Sequence, residues 1–451
     1  MKTPFAISLL LSLAWLPGSP ATADTHWPQF RGPHAAGVGA HPGLPDRWSA
    51  TDNIEWKTEL PGRSWSSPIV WGNRVFLTAV VNLGESEEPK KGLYLGGNRL
   101  EPPRSEHLWK VLCLDLATGR IEWEQTVHQR VPPTPVHLKS SYGAETPVTD
   151  GERVYVLFGG VGVFALSLDG AVVWDKPLDA RAMRDGWGTA ASPVLYDGRL
   201  FIVNDNEERA EMFALDTRTG RELWRVDRDE KSNWVTPFVW QNEQRTELIT
   251  CGSRAVRSYD LDGNLLWSLR GMSSIAIPSP VSGDGLLFVS SGFVADRLRP
   301  LYAIRPGATG DITLDPDHTR NEFIAWSDPV GGPYNPSPLY YDGRVYVLLD
   351  RGLVSCYNAR TGQVLYDRER LPQGFAFTSS PWAAGGHVYF LNEDGVCYVV
   401  RAGDTFELLH TNRLTDDDMC MATPALAGDR LLIRTAARIY GIRNQAPGPN
   451  S

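Results

Sequence analysis

Few side chains in this chain combine the types and spacings that chemistry needs. The nine histidines form no HExxH and no close pair with metal spacing, and neither a GxSxG elbow nor a phosphate loop is present. The five cysteines, Cys113, Cys251, Cys356, Cys397 and Cys420, are odd in number, with no CxxC spacing and no adjacent pair. They read as small core residues rather than a metal knuckle or a disulfide framework. What remains is a set of aromatic residues, Trp65, Tyr142, Trp187, Trp234, Tyr334, Phe375 and Phe377, each in a loop just ahead of a Ser/Thr-Pro step. Such rings offer stacking to a planar ligand or a sugar, or anchorage to a partner protein. The competing reading has them wedged between packed elements as core.

One carboxylate joins them. Glu145 directly precedes Thr146-Pro147, where the other copies of the step carry Ser66, Ala191, Val235, Pro278, Pro336, Ser379 and Ala422. A carboxylate among such positions is costly to bury without a partner. It is either half of a structural ion pair with Lys139, His137 or Arg63, which lie in loops of the same class, or a ligand-orienting or metal-binding group. Asp416-Asp417-Asp418 lies in the last of these loops. It lacks the alternating ligands of a calcium loop and reads as a solvated acidic rim. Asn392-Glu393-Asp394-Gly395 reads as a hairpin turn with Gly395 at positive φ.

The elements that must position these residues follow from an internal repeat. Ser/Thr-Pro steps occur at Pro68, Pro147, Pro193, Pro237, Pro280, Pro338, Pro381 and Pro424, separated by 79, 46, 44, 43, 58, 43 and 43 residues. Each is followed by a turn and an apolar run: Val75-Phe76-Leu77, Val154-Tyr155-Val156, Leu200-Phe201-Ile202, Glu247-Leu248-Ile249, and so on to Leu431-Leu432-Ile433. A period near 43 is the length of a four-stranded blade. Asp150-Gly151, Asp197-Gly198 and Asp342-Gly343 supply hairpin turns between the first two strands. A second half-repeat, Asp115-x-x-Thr118-Gly119 with Trp123 and Asp216-x-x-Thr219-Gly220 with Trp224, closes the blade. Related closing positions are Trp174, Trp267, Trp326, Tyr366 and His410. The eighth blade lacks a closing strand, whereas Asn53-Ile54-Glu55-Trp56 has no blade of its own. The expected fold is therefore all-β: an eight-bladed β-propeller of four-stranded antiparallel blades, its ring closed by the N-terminal strand completing the last blade. In the third strand the residue before the Leu/Tyr-Asp position is small (Cys113, Ala165, Ala214, Ser258, Ala303, Cys356, Gly441) apart from Val399, as crowding between blades requires.

Composition agrees. The 451 residues include 43 Gly, 33 Pro and 16 Trp, with 42% hydrophobic and 10% aromatic residues, which suits many short strands joined by turns. A net charge of −9 argues against a nucleic-acid partner. Residues 1–23 have the layout of a secretory signal, with Lys2, an apolar run and Ala21-Thr22-Ala23. The expected organisation is a signal peptide at 1–23, an N-terminal extension at 24–47, the propeller at 48–443 and a disordered tail at 444–451. No later run is long enough to span a bilayer and no cysteine near the cleavage site offers a lipid anchor, so a soluble periplasmic or secreted monomer is expected. Insertions fall at Val81 to His107 and at Arg305 to Asn321. The first is mixed in charge with an apolar tip around Leu93-Tyr94-Leu95. It either folds over one face and helps to bind a partner or is a disordered surface loop.

The Asp-x-x-Thr-Gly-x-x-x-Trp element, repeated with the Ser/Thr-Pro starts, resembles the pyrroloquinoline-quinone-like β-propeller family. Trp27-Pro28-Gln29-Phe30-Arg31-Gly32-Pro33 and Ser141-Tyr142-Gly143-Ala144-Glu145-Thr146-Pro147 are similar to a secreted subfamily likened to the outer-membrane assembly factor BamB. The enzymatic branch implies a quinone stacked on Trp beneath a disulfide of adjacent cysteines, a calcium ion held by carboxylate and amide, and an Asp base. The scaffold branch implies a periplasmic protein that binds other proteins through loops at one face. With no adjacent cysteines, the reading adopted is a non-catalytic binding platform for a protein partner in the cell envelope, with no resident cofactor. The alternatives are a quinoprotein oxidoreductase using pyrroloquinoline quinone with calcium, and a carbohydrate-binding propeller.

Overall fold

Proline has no N–H to give to a sheet, so each Ser/Thr-Pro step marks where a short first strand begins. The computed structural model describes residues 26–85, 87–93, 96–372 and 376–444. Residues 1–25, which include the expected signal peptide, Tyr94 and Leu95 of the insertion, Phe375 and residues 445–451 lie outside these residues. Eight antiparallel sheets follow in chain order, with strands A to D running outward from the axis. Blade 1 comprises Ile69–Trp71, Arg74–Asn82, His107–Asp115 and Ile121–Arg130. First strands of successive blades touch one another around the axis. Blade 8 comprises Ala425–Ala427, Arg430–Arg434 and Arg438–Arg443, and its outer strand is Ile54–Glu59 from the other end of the chain, with Trp56 opposite Gly441.

The small residues of strand C have a sharper reason than general crowding. Each lies directly across the sheet from the blade-closing aromatic: Cys113 from Trp123, Ala165 from Trp174, Ala214 from Trp224, Ala303 from Trp326, Cys356 from Tyr366. On its other side stands a large strand B residue such as Phe76, Tyr155, Phe201 or Phe288. The small residue lets the two rings meet over it, at 6.1 Å for Phe76 and Trp123 and 5.9 Å for Phe288 and Trp326. Val399, the one bulkier member, faces His410, a smaller ring than tryptophan.

Each closing tryptophan then docks on the next blade. Its indole N–H donates to a main-chain carbonyl in the neighbouring C–D turn: Trp123 to Leu168 (3.0 Å), Trp174 to Thr217 (2.9 Å), Trp224 to Leu261 (2.9 Å), Trp326 to Ala359 (2.8 Å) and Trp56 to Leu116 (2.9 Å). The turn glycine beneath the ring has positive φ, and a Cβ on Gly119 would stand 2.3 Å from Trp56. Glycine is required there on both counts. Trp267 departs from the pattern and donates to Glu247 at 2.7 Å. The turn it would have used is the blade 5 insertion, whose Gly310–Asp311 instead pairs in parallel with Trp267 and Ser268. The same region corrects the repeat alignment by one residue. Phe238 pairs with Ile249 as Val194 pairs with Phe201, so the blade 4 run is Leu248-Ile249-Thr250 and Glu247 precedes it.

The Ser/Thr hydroxyls form an inner belt. The Ser67 N–H donates to Thr146 Oγ1 (3.0 Å), Thr146 to Ser192 Oγ (2.9 Å) and Ser192 to Thr236 Oγ1 (3.0 Å); Ser279 donates to Ser337, Ser337 to Ser380 and Ser380 to Thr423, each at 3.0 Å. At six of the eight joints a hydroxyl thus satisfies the main chain of the blade before it. At the far end of the axis the N-terminal segment lies across the first strands. Trp27 and Val70 exchange N–H···O bonds at 2.8 Å, Thr149 N–H donates to Pro28 (2.9 Å), and Gly37 and Gly39 bond Ala383. Thr146→Val, equal in shape but unable to accept, is expected to leave the buried Ser67 N–H unpaired at about 1–3 kcal/mol and lower the Tm. Thr146→Ser should keep the bond and lie close to wild type in thermal unfolding. Equal Tm values for the two variants would remove the belt as a stabilising element.

Candidate functional site

The loops leading into strand A and those joining strands B and C share one face of the ring, the mouth opposite the N-terminal plug. The structure brings part of the expected aromatic set together there and sends the rest elsewhere. Trp187 and Trp234 stand 5.5 Å apart and share an apolar cluster with Ile275, Phe293 and Tyr334, in which Phe293 and Tyr334 are 5.4 Å apart. Trp187 and Tyr334 are half-buried. Trp65 is buried and donates to the Lys139 carbonyl at 2.8 Å. Tyr142 packs into the joint of blades 1 and 2, and its hydroxyl donates to Thr134 at 2.7 Å. Phe377 is fully buried against Tyr398 and belongs to the core between blades 6 and 7. It cannot stack a ligand at the mouth. Phe375 falls outside the described residues.

Glu145 is buried, 2% exposed. Neutral groups hold it: Thr189 Oγ1 donates to Oε1 at 2.5 Å and the Gly159 N–H at 3.2 Å. The expected ion-pair partners turn elsewhere, Lys139 to Glu393 at 2.5 Å, Arg63 to Glu88 at 3.3 Å and His137 to the Gly96 carbonyl at 2.9 Å. Burial pushes the Glu145 carboxyl up to about 7, against the opposing effect of the Thr189 hydroxyl. The group sits where loops of blades 2 and 3 meet, over a narrow void that it lines with Thr189, Asp205 and Asn233.

The blade 1 insertion crosses this face, as the first of its two readings requires. Asn82 and His107 close its base as a strand pair. The Gly92 N–H donates to Glu393 Oε2 of blade 7 at 3.0 Å, and Lys139 Nζ reaches the Gly92 carbonyl at 2.9 Å. On the other side Leu138 N–H bonds the Gly97 carbonyl (2.9 Å) and the Trp187 indole donates to Asn98 Oδ1 (2.8 Å). Glu393 is 1% exposed and also accepts from Thr378 Oγ1 at 2.6 Å. It is the carboxylate that latches the insertion, and the sequence reading passed it over as part of a turn. That turn does form, with Gly395 at φ 75°. Between the insertion and blades 1 and 8 lies a cavity of about 650 Å³. Its arginines are paired, Arg63 with Glu88, Arg99 with Glu87 and Arg438 with Asp417 at 3.1 Å, while Glu85 and Glu101 add further acid. His107 and His137 line it too, and burial holds both below the usual imidazole range. Asp418 corrects the solvated-rim reading. It is 8% exposed, with Oδ2 accepting from Thr435 Oγ1 (2.5 Å) and Ala437 N–H (3.2 Å).

The residues present do not fit the quinone site of the enzymatic branch. The five cysteines are free and buried, four of them on strands of blades 1, 4, 6 and 7 and the fifth, Cys420, in the loop before blade 8. Burial pushes all five thiols up, Cys113, Cys251 and Cys356 to about 12. No group of three or more His, Cys, Asp or Glu able to hold a metal occurs among the described residues. Glu145, engaged by neutral donors and poised to hold a proton, is a poor calcium ligand.

The Glu145 environment carries a sign. The folded-state value of about 7 lies above the ordinary 4.5, so stability from this group is whole below pH 4.5 and is lost as pH rises through about 7. The cost at pH 8 is on the order of 3 kcal/mol. Glu145→Gln, whose amide oxygen still accepts from Thr189 and Gly159, should match wild type at pH 5 and exceed it at pH 8 in urea or thermal unfolding. Parallel stability curves from pH 5 to 8 would show that another group titrates.

A search of curated protein sequences returns no match. Among solved structures, BamB from Moraxella catarrhalis aligns with a TM-score of 0.51 at 12% identity, covering 81% of this chain and 99% of that one. Quinohemoprotein alcohol dehydrogenases align as well. The one from Comamonas testosteroni has a TM-score of 0.56 at 11% identity, covering 96% of this chain and 82% of that one. The one from Pseudomonas putida HK5 has a TM-score of 0.54 at 12%, covering 95% and 82%. At such identities these likenesses speak of the fold alone. The family model described as outer membrane protein assembly factor BamB matches residues 109–269 and 252–446, from strand C of blade 1 to the end of blade 8. By that match over most of its length the chain belongs to the BamB family of pyrroloquinoline-quinone-like propellers.

Proposed function

We propose that this protein is an exported, non-catalytic propeller that holds a protein partner of the cell envelope on its mouth face. The observation that carries the reading is the surface of that face. The insertion and the neighbouring loops leave Leu83, Leu100, Val131, Val294, Leu298 and Val330 exposed around the half-buried Trp187 and Tyr334. Apolar side chains set among paired charges, with half-buried aromatic residues beside them, have the composition of a protein-binding surface. The acidic cavity beside the insertion suits a basic side chain of that partner. BamB membership supports an envelope role, and no helix among the described residues is long and apolar enough to cross a membrane.

A photo-crosslinking amino acid placed at Leu100 or Val294 is expected to give discrete protein adducts in envelope fractions, whereas one at Leu265 on an outer strand gives none. Addition of excess unlabelled protein should suppress the adducts. Equal labelling at all three positions, or none, would remove the platform reading. Anaerobic titration with pyrroloquinoline quinone and calcium separates the enzymatic alternative: saturable one-to-one binding with dye reduction would replace the scaffold by an oxidoreductase.

A further inference from the structure

The cavity between the blade 1 insertion and blades 1 and 8 holds a charge that its own residues do not balance. Six carboxylates line it, Glu85, Glu87, Glu88, Glu101, Asp417 and Asp418, against the guanidiniums of Arg63, Arg99 and Arg438 and no lysine. The arginines are spent on Glu88, Glu87 and Asp417. Asp418 is held by Thr435 and Ala437, with Arg438 at 3.9 Å. The Glu85 and Glu101 side chains have no hydrogen-bond or ion-pair partner among the described residues. A concave wall with a surplus of one sign focuses its field on a ligand of the other sign.

An acidic wall alone attracts any cation, and an independent observation narrows the choice. His107 is 5% exposed and lines the same cavity. Its Nδ1 lies 3.0 Å from the Ser105 carbonyl, which can only accept, so Nδ1 carries the proton and Nε2 is left as an acceptor. Burial holds the imidazole below its usual range and therefore neutral at neutral pH. Nε2 has no hydrogen-bond partner among the described residues and is not among the nitrogens sealed from solvent, so its open side faces the cavity. The ring is fixed edge-on to Tyr142 at 5.2 Å. His137, the other imidazole of the lining, uses both nitrogens, Nε2 on the Gly96 carbonyl at 2.9 Å and Nδ1 on the Lys139 N–H at 3.1 Å. A mostly buried acceptor left unsatisfied calls for a donor, so the ligand carries N–H groups as well as positive charge. The carboxylates are too dispersed to form a metal site among the described residues. Val80, Val81, Pro135, Val136 and Leu138 make the intervening wall apolar, which suits methylene groups between charged heads. The volume of about 650 Å³ is that of a site for a whole small molecule.

We propose that this cavity binds a free aliphatic polyamine, with Glu85, Glu101 and the His107 Nε2 receiving its ammonium groups and the valine and proline wall covering its methylenes. The assignment does not rest on the partner reading, because crosslinking at the rim and amine binding in the cavity can each fail alone. The probe is spermidine, titrated calorimetrically into the purified protein at fixed ionic strength. Saturable one-to-one binding is expected, about tenfold weaker in the double variant Glu85→Gln/Glu101→Gln. The double variant Glu369→Gln/Asp317→Asn removes the same charge from the outer strand of blade 6 and the blade 5 insertion, and should bind as wild type does. Butylamine, with a single ammonium, should bind about tenfold more weakly than the diamine putrescine. In NMR spectra of the histidine side chains, spermidine should move the His107 signal and leave that of His318, in the blade 5 insertion, in place, a readout that needs no variant to fold. Absence of saturable binding, equal weakening in the two double variants, equal affinity for butylamine and putrescine, or an unmoved His107 signal would each overturn the assignment. So would displacement of spermidine by magnesium at equal charge, the mark of a general acidic surface, or tighter binding of a trilysine peptide than of spermidine, which would give the cavity to a protein side chain.

Discussion

A closed ring of eight blades has to offer, at every joint, a face that fits its neighbour, and here the recurring fit is an aromatic ring seated on a left-handed glycine. The closing tryptophan needs three things at once: a small residue opposite it on strand C, a turn in the next blade with no Cβ beneath the ring, and a free carbonyl for its N–H. Cys113 with Trp123, Gly170 beneath that indole and the Leu168 carbonyl supply all three at the first joint. An indole removes some 150–250 Å² from water, on the order of 4 kcal/mol at each joint before entropy is counted. The belt of hydroxyls performs the complementary task on the inside, where strands converge and no room exists for large rings.

Departures from the joint are as informative as its repeats. Trp267 loses its carbonyl because the blade 5 insertion displaces the turn, and Glu247 is buried to receive the indole N–H together with Ser258 and Asn242. At blades 6 and 7, Tyr366 replaces tryptophan and packs on Phe406. At blades 7 and 8, His410 faces Asp46 at 3.4 Å, and Trp48 fills the space against Tyr389. The residues that complete these last joints come from the start of the chain. Ring closure therefore includes more than the strand containing Trp56. It draws on Asp46 and Trp48, and the plug adds its bonds to Val70, Thr149 and Ala383 on the inner strands.

Period and punctuation made the architecture legible, because a Ser/Thr-Pro step, an Asp-Gly turn and a Thr-Gly-x-x-x-Trp element each have one local meaning. Closure by the N-terminal strand followed from counting outer strands. Blade 4 slipped by one residue because Thr250 occupies the last place of the run, where an apolar residue should stand, and only strand pairing shows that Glu247 precedes the run and serves an indole two strands away. The mouth was legible only as a list of loops. Phe377 and Trp187 look alike in sequence, each ahead of a Ser/Thr-Pro step, and they differ because one turns between blades and the other outward. Glu145 attracted basic candidates from loops of the same class, whereas its real partners, Thr189 and Gly159, come from a blade 3 loop and the B–C turn of its own blade. Glu393 was quiet in sequence because its significance lies in what it meets across the axis.

Both ends of that axis are crossed by chain, and the two crossings use different chemistry. The plug is held chiefly by main-chain bonds to inner strands, with Trp27 packed into the core beside them. The insertion is held by side chains, chiefly the Lys139 and Glu393 pair with the Gly92 N–H. A buried ion pair adds little net stability, but breaking one leaves an uncompensated charge, so it fixes registry more than it adds strength. A latch made of apolar contacts would have consumed the insertion's hydrophobic side chains. A polar latch leaves Leu83, Leu93 and Leu100 facing solvent, where only a partner surface can bury them. The polar clasp and the exposed apolar residues thus belong to one arrangement, and under the proposed binding role recognition falls on the rim of the mouth rather than inside the channel.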